Sequence, residues 1–315
     1  MIAIVVHRYG GPDELKVENV HVPALSDGEA LIRVCAAGVG PWDALVRSGR
    51  SGVPQRLPLI PGSDIAGIVE DVKNDSVPAP FKRGDAVFGV TNPTFTGGYA
   101  QYAVASLTSI DRKPERVSFV EAASVPVIAV TAWQMLFDHA TVSAGQRVLV
   151  HGAAGNVGAY AVQLARWAGA EVIAVARGDD AGYLRGIGAT EVIDYTTQRF
   201  EDRVADVDAV IDTVGGDTQE RSFAVVKRGG ILVSSVSTPS QTDAARYGIR
   251  VDYFLVAVTT PQLERIAQLI DDGVLQTDLG VVLSLTDAQK AHEMLAGRLP
   301  HPRGKIVLDV DLAKD

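Results

Sequence analysis

Apolar residues along the chain fall into two rhythms, and the change between them divides the sequence. Up to about Phe119 they come in short runs cut by proline and glycine: Ile2–Val6, Glu29–Cys35, Ile65–Val72, Asp85–Val90 and Tyr99–Val104. Runs of that length, rich in β-branched residues, predict strands. Ser118 to His139 then reads as helix, broken at Pro126. Between Gln146 and Arg177, the strand-like Val148–Val150 meets a turn carrying Gly152, Gly155 and Gly158. Val157, Ala161, Leu164, Ala165 and Ala168 follow at helical spacing, Gly169 supplies a stop, and Glu171–Ala176 returns to a strand pattern. The unit is β-α-β.

Three more strand candidates, Val192–Asp194, Asp208–Asp212 and Gly230–Val236, alternate with helical segments. Alternation of that kind predicts a doubly wound parallel sheet, whose ligand crevice lies at the carboxyl ends of the strands. Gly248–Val258 is the longest β-prone run. Pro261–Asp272 has the period of an amphipathic helix, and Gly280–Ser284, Thr286–Ala296 and Lys305–Val310 read strand, helix, strand. No linker rich in Gly, Ser or Pro separates these parts, and no internal repeat is visible.

Composition narrows the function classes. With 315 residues and 47% hydrophobic content the chain supports two packed cores, and the formal net charge of -9 argues against nucleic-acid partners. The single cysteine, Cys35, excludes an internal disulfide and sits in an apolar strand-like run, where it reads as a buried core thiol. The N-terminal apolar run has no basic leader, and no stretch approaches the ~20 apolar residues of a membrane span, so a cytoplasmic location is expected.

The glycine turn carries the first chemical expectation. Glycines allow a sharp turn and a close approach, and the free N–H groups opening a helix attract an anion such as a pyrophosphate. The spacing is G-x-x-G-x-x-G, with Ala153 and Ala154 inside it, and a nucleotide-free β-α-β turn is the alternative. Ala176 and Arg177 close the second strand, where an arginine accommodates a ribose 2′-phosphate and an acid would bind the 2′-hydroxyl. NADPH is therefore expected, with Asp179 and Asp180 as the competing ribose partners. Thr213 and Val214, then Ser234, Ser235, Val236 and Ser237, stand at later strand ends that line such a crevice.

The turn, written VHGAAGNVG, resembles the cofactor segment of the medium-chain dehydrogenase/reductase superfamily, in particular its zinc-free quinone oxidoreductase branch, with Asn156 replacing one glycine of the usual form. The likeness extends through GGPDEL, AAGVGPWDALVRSG, LPLIPGSDIAG, FKRGDAVFGV and GGYAQY, in family order. It implies an α/β protein with a GroES-like β-rich catalytic domain, residues 1–119 and 260–315, and a doubly wound parallel-sheet (Rossmann) NADPH-binding domain, residues 120–259. It also implies cofactor roles for Thr131, for the turn through Gly152, Ala153, Ala154, Gly155, Asn156, Val157 and Gly158, and for Tyr195 beside the adenosine phosphate. Phe254, Leu255 and Val256 would face the nicotinamide half, where an apolar core role is the alternative, and Arg303, Gly304 and Lys305 match the closing R-G-K. Gly248–Val258 would form an edge strand pairing two subunits into a homodimer.

Zinc members of the superfamily place ligands where this chain has Gly40 and Ser63, and no cysteine-rich lobe is present, so no metal is expected. The family pattern V-N-P-x-D appears here as Val39, Gly40, Pro41, Trp42 and Asp43, without the asparagine. Asp43 reads as a site organiser or as an exposed loop acid, and Tyr99 as a phenol for a substrate carbonyl or as packing. The expected activity is metal-free hydride reduction of quinones or α,β-unsaturated carbonyls. An enoyl-thioester reductase and an NADPH-binding sensor without turnover are the rivals.

Overall fold

The computed structural model describes residues 1–75 and 79–314. The chain divides into two units, Met1–Val127 with Ala257–Asp315, and Ile128–Val256.

In the first unit, β1 (Ile2–Val5) and β2 (Lys16–Asn19) form a small antiparallel pair. The main strands are β3 (Glu29–Val39), β4 (Asp64–Lys73), β5 (Ala86–Val90), β6 (Tyr102–Ser106) and β7 (Ile110–Arg112), with α1 (Pro41–Arg47) between β3 and β4. Two helices follow, α2 (Phe119–Ala123) and α3 (Pro126–Trp133), and the division between units falls inside α3. α2 starts on a capping box, in which the Ser118 hydroxyl accepts from the Glu121 N–H and the Glu121 carboxylate accepts from the Ser118 N–H.

The second unit opens with the rest of α3, continues into a π-helical stretch, Gln134–His139, and then builds β8 (Arg147–His151), α4 (Asn156–Trp167), β9 (Glu171–Ala176), α5 (Ala181–Gly186), β10 (Glu191–Asp194), β11 (Val207–Asp212), α6 (Gly216–Ser222), β12 (Val226–Ser234), α7 (Gln241–Tyr247) and β13 (Arg250–Tyr253). The strands make one parallel sheet in the order β10-β9-β8-β11-β12-β13. From β8 the chain winds outward through β9 and β10, then returns to the other side of β8 for β11, so the order reverses between β8 and β11. That reversal is where a doubly wound sheet opens its crevice. The apolar strand centres explain the packing: Leu149, Ile173, Ile193, Val210 and Leu232 are buried in one cluster with Phe200 and Phe223.

The chain then re-enters the first unit as α8 (Thr260–Asp271), β14 (Leu279–Ser284), α9 (Ala288–Leu295) and β15 (Lys305–Asp309). β15 runs antiparallel to β3, and the sheet order is β14-β15-β3-β4-β5-β7, with β6 on β3. Gly304 makes this closure possible: at φ +103 its backbone lies so near Leu279 and Gly280 that an added Cβ would meet the Gly280 nitrogen at 2.5 Å. Cys35 is buried in β3, as its apolar neighbours imply.

Two sequence expectations need correction. Gly248–Val258 is not one long strand. Gly248, at φ 69, is the left-handed cap of α7, only Arg250–Tyr253 pairs with β12, and Phe254–Thr259 has no regular structure. The run stops where its partner stops, since Tyr253 sits opposite Ser234 at the end of β12. Tyr99 likewise precedes its strand. It is tied instead by its carbonyl, which accepts from the Ile4 N–H at 2.9 Å. Among the described residues no helix is long and apolar enough to cross a membrane.

Candidate functional site

At the reversal point of the second unit, β8 ends in the glycine turn. Gly152 has φ +64, and a Cβ there would lie 2.4 Å from the Thr213 Oγ1, while one on Gly158 would lie 2.2 Å from the Gly152 carbonyl oxygen. Both positions demand glycine. Gly155 caps α4 without any side-chain acceptor, so the opening N–H groups of a twelve-residue helix are left for another partner. Ala153 is buried with its N–H on the Val175 carbonyl, whereas Ala154, Asn156 and Val157 keep partial exposure on the turn.

The neighbouring strand ends are tied to this turn. The Thr213 hydroxyl donates to the His151 carbonyl at 2.8 Å. Asp212 holds the next turn, accepting from the Val214 and Gly215 N–H groups at 3.0 and 2.9 Å and from the Gln219 amide at 2.8 Å. Ser234 is buried and its hydroxyl accepts from the Val236 and Ser237 N–H groups at 3.2 and 3.3 Å, which makes it a turn former. Val214 and Val236 are exposed at these ends. Ala176 is buried at the close of β9, and beyond it the Arg177 Nε donates to the Tyr195 hydroxyl at 3.1 Å. Tyr195 is 53% exposed, and Arg177 beside it is exposed as well.

A cavity of about 710 Å³ lies beside Tyr195, lined also by His151, Gly152, Val175, Arg199 and Val214 among others. His151 is fully buried, hydrogen-bonds Ser222 at 2.8 Å, and burial pulls its pKa down to about 4. It is a neutral wall of the cavity. Thr131 is buried within α3, and Phe254 stacks on His139 with ring centroids 4.2 Å apart. Leu255 is 67% exposed, and Val256 is partly buried.

The first unit holds a second group of functional side chains. Asp43 is not an exposed loop acid: it is fully buried in the first turn of α1. Its Oδ2 accepts from the Gly40 N–H and from the Tyr99 hydroxyl, each at 2.8 Å, and its Oδ1 has no protein partner. Burial pushes the Asp43 carboxyl up to about 7, against the pull of the Gly40 N–H, the Lys305 ammonium and the Tyr99 hydroxyl. Tyr99, also fully buried, has its own pKa raised well above 10 by burial and by Asp43. The phenol therefore stays protonated and donating.

Lys305 is 0% exposed, with its Nζ 3.1 Å from the Asp64 Oδ2 and 4.2 Å from the centre of the Trp42 ring. The Asp64 Oδ1 accepts from the Val127 N–H at 3.0 Å. Burial raises the Asp64 pKa, and Lys305 and that N–H draw it back. A buried pair with this geometry is costly to break, because removal of one partner leaves the other charge unpaired in the interior. Arg303 instead bonds Asp278 at 2.9 Å. His292 and Arg47 complete the group: His292 meets the edge of Tyr99, and burial together with Arg47 lowers its pKa to about 3. Among the described residues, no His, Cys, Asp and Glu side chains are grouped so as to hold a metal ion.

Sequence reasoning missed Asp64, Arg47 and His292. Each looks like an ordinary surface residue in the sequence, and only the closure of the sheet by β15 brings Lys305 to Asp64. Ser63, beside Asp64, is fully buried, and its hydroxyl has no protein partner.

A family model described as an alcohol dehydrogenase GroES-like domain matches residues 26–115, and one described as a zinc-binding dehydrogenase matches residues 187–308. The chain belongs to the medium-chain dehydrogenase/reductase superfamily. Its relatives include the quinone oxidoreductase of Pongo abelii, 33% identical over 93% of each chain. Among solved structures, the quinone oxidoreductase from Coxiella burnetii superposes with a TM-score of 0.91 at 32% identity, covering 98% of this chain and 99% of that one. The Escherichia coli quinone oxidoreductase complexed with NADPH gives 0.85 at 26% identity, covering 98% and 100%. The chain is an oxidoreductase.

Proposed function

We propose that this chain reduces quinones or α,β-unsaturated carbonyls with NADPH, without a metal, as a homodimer. The observation that carries the reading is the Arg177–Tyr195 pair, set beside an uncapped helix start at the carboxyl end of the adjoining strand. The turn and helix N–H groups fit a pyrophosphate, and the guanidinium with the phenol fits a 2′-phosphate. When bound, the nicotinamide supplies a hydride.

The chain's own residues do the rest. The glycine turn fixes the phosphates, and the Asp212 and Ser234 turns hold Thr213, Val214 and Val236 at the crevice. In the first unit, the Tyr99 hydroxyl donates to Asp43 at 2.8 Å, a bond that ties α1 to Tyr99 and leaves the proton on the phenolic oxygen. A carbonyl acceptor needs only modest hydrogen bonding for conjugate reduction, with its remaining proton drawn from water.

Steady-state oxidation of NADPH and NADH with a quinone and with an enone tests this reading, using protein stripped by exhaustive chelation. Turnover is expected to survive chelation and to favour NADPH. Arg177→Ala should weaken NADPH binding about tenfold or more and leave NADH nearly unchanged, since a hydrogen bond to a charged group is worth ~1.5–3 kcal/mol. Equal losses for both cofactors overturn the 2′-phosphate assignment.

A further inference from the structure

The V-N-P-x-D pattern of the resemblance has an asparagine where this chain has Gly40, and the structure shows what lies against that position. A Cβ built on Gly40 would lie 2.2–2.4 Å from three atoms of the Trp42 indole. No asparagine, and no other side chain, fits at position 40 while Trp42 keeps this position. A contact on its face favours this position of the indole. Its face carries the Lys305 ammonium at 4.2 Å, and that ammonium is fixed in turn by the fully buried Asp64. A cation over an indole face is held by the ring quadrupole. It also draws electron density from the ring, which makes the indole N–H a better donor.

That donor is unspent. The Trp42 Nε1 is covered and has no protein acceptor, and an indole N–H removed from water without an acceptor carries an unmet hydrogen bond. It sits one residue from Asp43, in the same turn of α1.

We propose that Trp42 is the acceptor-selecting residue of this site: its indole fills the space of the missing side chain at position 40, and its Nε1–H donates to the carbonyl oxygen of a quinone or enone. The inference rests on the reductase reading for its substrate, and on the Gly40–Trp42 collision for its geometry. Lys305 and Asp64 act as positioning residues, through the indole.

Two measurements separate these parts. Thermal unfolding of Gly40→Asn, Trp42→Ala and the double variant reads the collision without any activity. Gly40→Asn alone should lower Tm by several degrees, and adding Trp42→Ala should return much of that loss. A double variant no more stable than Gly40→Asn overturns the steric half.

Trp42→Phe keeps an aromatic ring under Lys305 and removes the N–H together with the five-membered ring that carries it. It should lower kcat/KM for quinone and enone about 2- to 10-fold, the range of one neutral hydrogen bond, with NADPH affinity unchanged. Unchanged kcat/KM for both acceptors overturns the donor role, as does an equal loss of NADPH binding. If the unaltered protein turns over neither acceptor, the reductase reading fails on its own. Calorimetric titration with duroquinone then decides the contact: weaker binding by Trp42→Phe supports it, and equal binding by both proteins overturns it.

Discussion

Asp43 shows how far a single residue departs from its sequence appearance. In the sequence it is an acid after a proline and a tryptophan. In the fold it is buried, and its raised pKa has a consequence for stability. The unfolded chain loses this proton near pH 4, the folded protein near 7. Between those values the native state holds the extra proton, so stability falls as pH rises through the window. Tyr99, Gly40, Lys305 and Asp64 are the groups that face the carboxylate and set the upper limit. Asp43→Asn removes the titration while keeping an acceptor for the Gly40 N–H and the phenol. Its Tm relative to wild type should therefore improve steadily from pH 4 to about pH 7. A pH-independent difference between the two proteins would show that Asp43 is already ionised in the folded state across that range. The opposite slope comes from His292, whose lowered pKa favours the folded state above about 6.5 and works against it as pH falls toward 3.

At the level of elements, the sequence exposes what is local and hides what is not. The β8-turn-α4 segment was legible because glycine spacing and helical periodicity lie within one stretch, and its φ angles and close approaches bear this out. Arg177 and Tyr195 were each legible as strand-end residues, 18 positions apart, and they follow directly on the ends of neighbouring parallel strands. The Lys305–Asp64 pair was not, because 241 positions separate its members and no periodicity links them. The run after Gly248 was misread in length, since β-propensity continues past the point where the partner strand ends. β13 nevertheless occupies the end of the sheet, and an exposed edge is open to pairing with another chain. Light scattering should give about twice the 33.3 kDa chain mass, and Val251→Pro should yield monomer or aggregate. A well-folded monomer of the unaltered protein would count against the dimer.

For the molecule as a whole, the division between a β-rich part and a doubly wound part was legible from the change in rhythm near Phe119, although the break itself falls within α3. The polar interior of the first unit was not, because burial of Arg47, Lys305 and His292 follows from tertiary closure rather than from any local pattern. That closure also orders events during synthesis. β3 lacks its neighbour β15 until residues 305–309 leave the ribosome, whereas every strand of the parallel sheet lies between residues 147 and 253. The later-encoded sheet should thus reach its native pairing while the earlier-encoded one still waits, since units fold as their chain becomes available. Chains stalled on the ribosome after Thr260, with a flexible linker filling the exit tunnel, should resist protease across residues 147–253 and be cut within residues 29–112. Equal protection of both stretches at that length would rule out this order. Of the two units, the one whose strands are encoded earlier would then finish folding later, and a nascent chain would carry its Asp64 unpaired until Lys305 emerges to meet it.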